Sequence, residues 1–250
     1  QSVAESSFDA WTKFYKQDEN ATNAIVSYYA KGALIALALD LTLREATDGK
    51  RSLDDVMRAL WERHGKPGVG ITQESLAALV CEVAGDDLGL LLEGWVWGTE
   101  DPPLAELLAR VGVELHLRPA ESAADQGGKP AKDDNGLPRV VLGARTNGDP
   151  AGAKIASVRE GGPAETAGLA AGDLLIAVDG IRINQENLEK VLSRYAPGES
   201  VTSHAFRRDE LLAVPITLQA PPEDTCYLTL TEARDETTEA RLTAWLGAGA

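Results

Sequence analysis

The stretch "GGPAETAGLAAGDLLIAVDGIRI", Gly161 to Ile183, decides the fold of the second half of the chain. Pro163 and Ala164 open a one-turn helix, because a fixed φ and a missing N–H cost nothing in a first helical turn. Gly168 ends that turn. Gly172-Asp173 then launches "LLIAV", a run apolar at every position, as a buried strand is. Asp179-Gly180 closes this strand with a tight hairpin.

The surrounding sequence extends the pattern. "VVLGAR", "AKIASV", "VTSHAFRR" and "LLAVPITL" are short β-rich runs separated by turn signals, with Arg208-Asp209-Glu210 joining the last two. One helix, "NQENLEKVLSRY", is capped by Asn184 or Asn187 and ended by Pro197-Gly198. Residues 139–220 are therefore predicted to form a small, partly open β-barrel. Before it, 121–138 is a polar Gly/Pro-rich linker or loop without periodicity. After it, 221–250 is a tail ending in a short amphipathic helix, "TEARLTAWLGA".

Residues 1–120 follow a helical period. In "SLDDVMRALWERHG", Leu53, Val56, Met57, Leu60 and Trp61 share one face, with Ser52 and Asp55 at the start and Gly65 at the stop. "TQESLAALVCEVAG", "DDLGLLLEGWVWG" and "PLAELLARVG" continue the bundle, and "VELHLR" from Val113 alternates like a strand. The expected class is α+β, a helical bundle followed by the small barrel.

Composition excludes some functions. A net charge of −15 repels polyphosphate, so nucleic acid is not an expected partner. No apolar run is read as reaching the roughly 18 residues of a membrane span, so no membrane partner is expected. The two cysteines, Cys81 and Cys226, read as small buried hydrophobes rather than a disulfide framework. The three histidines, His64, His116 and His204, are scattered, without an H-E-x-x-H motif. No nucleophile elbow, triad or phosphate loop appears. The start at Gln1 without Met suggests a piece of a longer protein.

Gly161 to Ile183 resembles the signature of bacterial PDZ domains. The resemblance implies an extended peptide, often a C-terminus, added as a strand to an open sheet edge. Its carboxylate would meet the loop Leu142-Gly143-Ala144, and the helix at Leu188 to Leu192 would form the other wall. Ala144 is small, Arg145 follows it and the usual aromatic is absent, so a groove filled by the chain's own linker or tail is the alternative.

"SYYAKGALIALALDL", Ser27 to Leu41, sets a tyrosine pair and Lys-Gly before an apolar helix. Tyr29-Ala30-Lys31-Gly32-Ala33 resembles the Tyr-x-Lys-Gly-Ala segment of gluzincin zinc aminopeptidases. With "SFDAWTKFYKQDENATNAIVSYYAKGALIALALDLTLRE", "SLDDVMRALWERHG" and "WGTEDPPLAELLARVGVEL" ahead of a PDZ module, the order resembles the C-terminal half of the M61 glycyl aminopeptidase family. That resemblance implies the end of a thermolysin-like catalytic domain whose zinc ligands precede Gln1. It implies zinc in the longer parent and none in this chain, which would be inactive alone. It also implies peptides with N-terminal Gly or Ala as substrates.

Tyr29 would then stabilise the oxyanion of the tetrahedral intermediate, with Tyr28 as the alternative one register step away. Lys31 is expected to reach a carboxylate or carbonyl, and Gly32 to admit a close neighbour. Asp18, Glu19 and Asn23 form either a loop beside the cleft or a solvated turn. The apolar face left on the helical half would meet the missing N-terminal part or a second copy in a homodimer. A cytoplasmic location is favoured over a periplasmic one. The rival readings are a non-catalytic PDZ peptide-binding module on a helical scaffold, a bracing module and, without a pairable nucleophile, a PDZ serine protease.

Overall fold

The computed structural model describes residues 1–122, 125–130 and 140–247. Most of the expected 121–138 linker lies outside the described residues. The chain forms two compact units: Gln1–Lys16, Ile25–His116 and Leu228–Ala250 in one, Gln17–Ala24 and Leu117–Tyr227 in the other.

The chain opens with α1 (Val3–Phe8), a π-helical turn (Ala10–Phe14), α2 (Ala21–Ala24) and α3 (Tyr28–Ala46). There follow α4 (Leu53–Leu60), a second π-turn (Trp61–Gly65), α5 (Gln73–Ala84), α6 (Gly89–Leu92), a third π-turn (Glu93–Trp97), α7 (Leu104–Ala109) and β1 (Val113–Arg118). The second half holds β2 (Ala144–Asp149), β3 (Gly152–Val158), α8 (Pro163–Thr166), β4 (Leu174–Val178), β5 (Ile181–Arg182), α9 (Leu188–Leu192), β6 (Ser200–Arg207) and β7 (Glu210–Thr217). It closes with β8 (Thr225–Leu230) and α10 (Glu236–Leu246).

In the first unit α3 serves two cores. Its Ile35, Ala38 and Leu41 pack with Trp95, Leu107, Leu108, Val111, Val113 and Leu242. Its Leu39 and Leu43, on the adjacent face, pack with Val56, Val80, Ala84, Leu88 and Leu92. Leu242 belongs to α10, so the helix near the C-terminus is a core element of this unit. β1 and β8 pair as a two-stranded ribbon, a partnership between distant segments that alternation alone does not reveal.

Several expectations change. The helical run Ala21–Ala46 is long and apolar enough to cross a membrane by length and composition, where the sequence reading finds no run of that length. The run continues across Lys31 and Asp40, and Asp40 is paired to Arg44 at 2.8 Å. Met57 and Trp61 are exposed rather than sharing the core face of Val56, since the helix becomes a π-turn at Trp61 and the Trp61 ring lies over Gly65. Cys226 is exposed rather than buried.

The second unit is one antiparallel sheet in the order β2-β3-β4-β6-β7, with β5 pairing β4. It is not closed into the expected barrel; Val141 and Gln219 form an isolated bridge outside the named strands. The reason is local. "VVLGAR" is not a strand throughout: Gly143 takes φ +70°, and ladder pairing starts only at Ala144 opposite Val158. The Arg208-Asp209 turn between β6 and β7 has both φ angles positive, as a tight hairpin requires.

Asp173 anchors this unit from a buried position. Its carboxylate accepts from Arg207 Nε at 2.8 Å and Nη2 at 2.7 Å, and from Ala170 N–H at 2.9 Å. Burial alone would raise the carboxyl pKa, but these bonds outweigh it and hold the group below its ordinary value of 3.8. Asp173→Asn is expected to cost about 1–3 kcal/mol by replacing the buried carboxylate that meets Arg207 with a neutral amide, seen as a lower urea midpoint at unchanged slope. A depressed folded pKa gives stability that is present above the unfolded value and lost as pH falls through the folded one. The gap between wild type and variant should therefore narrow in acid.

Candidate functional site

Ser27 caps α3, accepting from Ala30 N–H at 3.2 Å, and sets Tyr28 and Tyr29 in the first turn. Their rings lie 4.2 Å apart at 31°. Tyr15, which the sequence reading did not single out, follows the first π-turn and joins both. Its hydroxyl lies 3.1 Å from that of Tyr28 and 2.8 Å from that of Tyr29. Phe14 packs against all three rings. Tyr29 is 60% exposed. The bond with Tyr15 lowers the Tyr29 phenol below its ordinary value, whereas the bond with Tyr15 raises Tyr28 well above it. Aromatic spacing at 11, 14, 15, 28 and 29 was the available signal; the chain reversal that unites these positions was not.

Lys31 pairs with Asp101 at 2.7 Å and donates to the Thr99 carbonyl at 3.4 Å, as its expected reach allows. Gly32 differs from expectation: a Cβ there would meet open space, so no close packing requires it. Asn23 bonds the Val158 carbonyl at 2.9 Å and the Glu160 N–H at 3.0 Å, and Asp18 caps its own turn through Asn20 N–H. The histidines remain apart: His64 contacts the Gly70 carbonyl, His116 contacts Thr229 Oγ1, and His204 Nδ1 is buried without a partner among the described residues. Among the described residues no three His, Cys, Asp or Glu side chains converge as metal ligands. These described residues offer no donor set for a zinc, and no chemical step is routed through one.

In the second unit Leu142, Gly143, Ala144, Leu188 and Leu192 all line one cleft of about 1280 Å³. One wall is β2, an edge strand; another is α9. The Leu142 carbonyl accepts from Ala164 N–H at 2.9 Å and the Gly143 carbonyl from Arg159 N–H at 2.8 Å, which pins the loop on α8 and β3. Arg145 and Ser193 also line the cleft, as do Ala120 and Ser122 from the segment before it.

An edge strand entered through a glycine loop and lying beside a short helix is the peptide-accepting arrangement of a PDZ domain, and residues 154–208 match the PDZ domain profile. Residues 1–35 match the profile of M61 glycyl aminopeptidase. An aminopeptidase N family protein from Idiomarina loihiensis is 40% identical and superposes with a TM-score of 0.85, over 98% of this chain and 40% of that one. The resemblance of this chain to the M61 glycyl aminopeptidase family, with a PDZ domain in its second half, is thereby shown. Shorter matches reach a probable periplasmic serine endoprotease DegP-like from Brucella suis biovar 1, 34% identical over 74 residues, 29% of this chain and 14% of that protein. Another DegP-like relative, from Bartonella henselae, is 38% identical over 64 residues, 25% of this chain and 13% of that protein. The chain spans less than half the length of each of these relatives.

The loop glycine gives a direct test. A Cβ on Gly143 would lie 2.9 Å from Pro163 Cδ, at a positive φ. Gly143→Ala is expected to cost about 1–3 kcal/mol in urea unfolding. Gly161→Ala, with positive φ but open space around it, should cost only about 1 kcal/mol.

Proposed function

We propose that this chain is part of a zinc-dependent aminopeptidase that removes N-terminal Gly or Ala from peptides, with Tyr29 as the donor to the oxyanion. The observation that carries the reading is the Tyr29 hydroxyl, held 2.8 Å from Tyr15 on a side chain more than half exposed. As a scissile carbonyl becomes tetrahedral its oxygen gains negative charge, and a fixed phenol O–H meets that charge more strongly than it meets the neutral carbonyl. As the family resemblance implies, zinc would be held by residues outside this chain. The family resemblance and the aminopeptidase relative support the substrate class.

The test is made on the full-length protein with glycyl and alanyl substrates. Tyr29→Phe should lower kcat by about a hundredfold with KM little changed, and Tyr28→Phe should do much less. An unaltered kcat in Tyr29→Phe sinks the oxyanion role.

A second reading concerns the PDZ cleft, and the edge position of β2 favours it. Here a peptide adds to β2 with its carboxylate at Leu142-Gly143-Ala144 and its last apolar side chain between Leu142, Leu188 and Leu192. This binding would also operate if the chain were a non-catalytic module on a helical scaffold. Peptides ending in a free apolar residue should bind in fluorescence polarisation, and Leu188→Asp or C-terminal amidation should weaken them at least about tenfold. Equal affinity for the amidated peptide would instead point to a cleft that only braces the chain.

A further inference from the structure

The Tyr15 hydroxyl is bonded to both tyrosines of α3, at 3.1 Å and 2.8 Å. A phenol donates one hydrogen bond and accepts up to two, so Tyr15 donates to at most one of these neighbours. We propose that Tyr15 is a positioning residue whose hydroxyl accepts from Tyr28 and donates to Tyr29, leaving the Tyr29 proton as the one turned outward. This rests on the reading of Tyr29 as the oxyanion donor.

The geometry fixes Tyr15 from several sides. Its N–H bonds the Ala10 carbonyl at 2.9 Å, closing the π-turn. Its ring lies 5.0 Å from Trp11 and edge-on to Phe14 at 5.3 Å and 89°. Buried Ser6, on α1, donates to the Val26 carbonyl at 2.5 Å, which ties this segment to the residues that lead into α3. The hydroxyl is thus presented by a fixed backbone and a packed ring.

Direction matters because a hydroxyl that accepts a hydrogen bond becomes a stronger donor. In a Tyr28→Tyr15→Tyr29 relay the last proton is the most polarised, and it belongs to the exposed ring. The opposite direction would use the Tyr29 proton inside the cluster and turn that of Tyr28 outward. With the Tyr29 proton turned outward, the 2.8 Å contact has Tyr15 as its donor, and the 3.1 Å contact then has Tyr28 as its donor. The relay also separates two adjacent tyrosines that the sequence leaves equivalent.

Ultraviolet titration of phenolate absorbance on this 250-residue chain tests the relay without any activity. The wild-type curve should contain one phenol that ionises below the ordinary range, and Tyr15→Phe and Tyr29→Phe should each lose it. In the full-length protein Tyr15→Phe should lower kcat about tenfold, less than Tyr29→Phe, with KM little changed. Because Tyr29 donates only while protonated, raising its pKa towards 10 should move the alkaline limb of kcat to higher pH. A Tyr15→Phe curve that keeps the early-ionising phenol overturns the relay, whatever the activity. An intact relay with a kinetically silent Tyr29→Phe leaves Tyr15 as the hub and overturns the oxyanion reading instead.

Discussion

The first unit depends on the burial of α3 on two adjacent faces. Ile35, Ala38 and Leu41 enter one core, Leu39 and Leu43 the other. A helix held in this way cannot rotate without emptying one of the cores, and close-packed interiors resist such voids. Its first turn therefore has a fixed orientation, and that turn carries Tyr28 and Tyr29. The nearly unbroken apolar run that follows the tyrosine pair is what holds the pair in place.

The second unit answers a different constraint. A sheet edge exposes unpaired backbone groups, and β2 keeps such an edge beside α9. The left-handed Gly143 delays pairing until Ala144 and keeps the preceding residues as a loop over Pro163. The same conformation that stops the sheet from closing lets one cleft gather Leu142, Ala144, Leu188 and Leu192. Buried Asp173, paired with Arg207, holds the turn before β4 to the end of β6.

The legible parts of the fold share a local cause. Pro163, Gly168, Asp179 and Gly180 act through their own φ angles or missing N–H groups, so the short helix and the β4–β5 hairpin stand where their residues require. Ser52, Thr72 and Gly85 likewise mark helix ends through bonds to their own neighbours. Where a residue's role depends on a distant partner, neighbouring residues alone do not specify it. Met57 and Trp61 follow the helical period yet face outward, because Val56 already meets the neighbouring helices and the backbone widens into a π-turn at Trp61. Gly32 lies beside open space, although its small size suggests a close neighbour.

The sequence by itself determined the helical character of the first half, the short helix and hairpin around β4, the apolar character of α3, the glycine loop at 142–144 and the tyrosine pair, since each is written in neighbouring residues. Only the tertiary structure decided that β1 pairs with β8, that Leu242 enters the core of the first unit, and that Tyr15 stands between Tyr28 and Tyr29. Backbone propensity acts within a few residues of its source. A strand partner, a core neighbour or a hydroxyl at 2.8 Å is chosen by where the folded chain brings distant segments together.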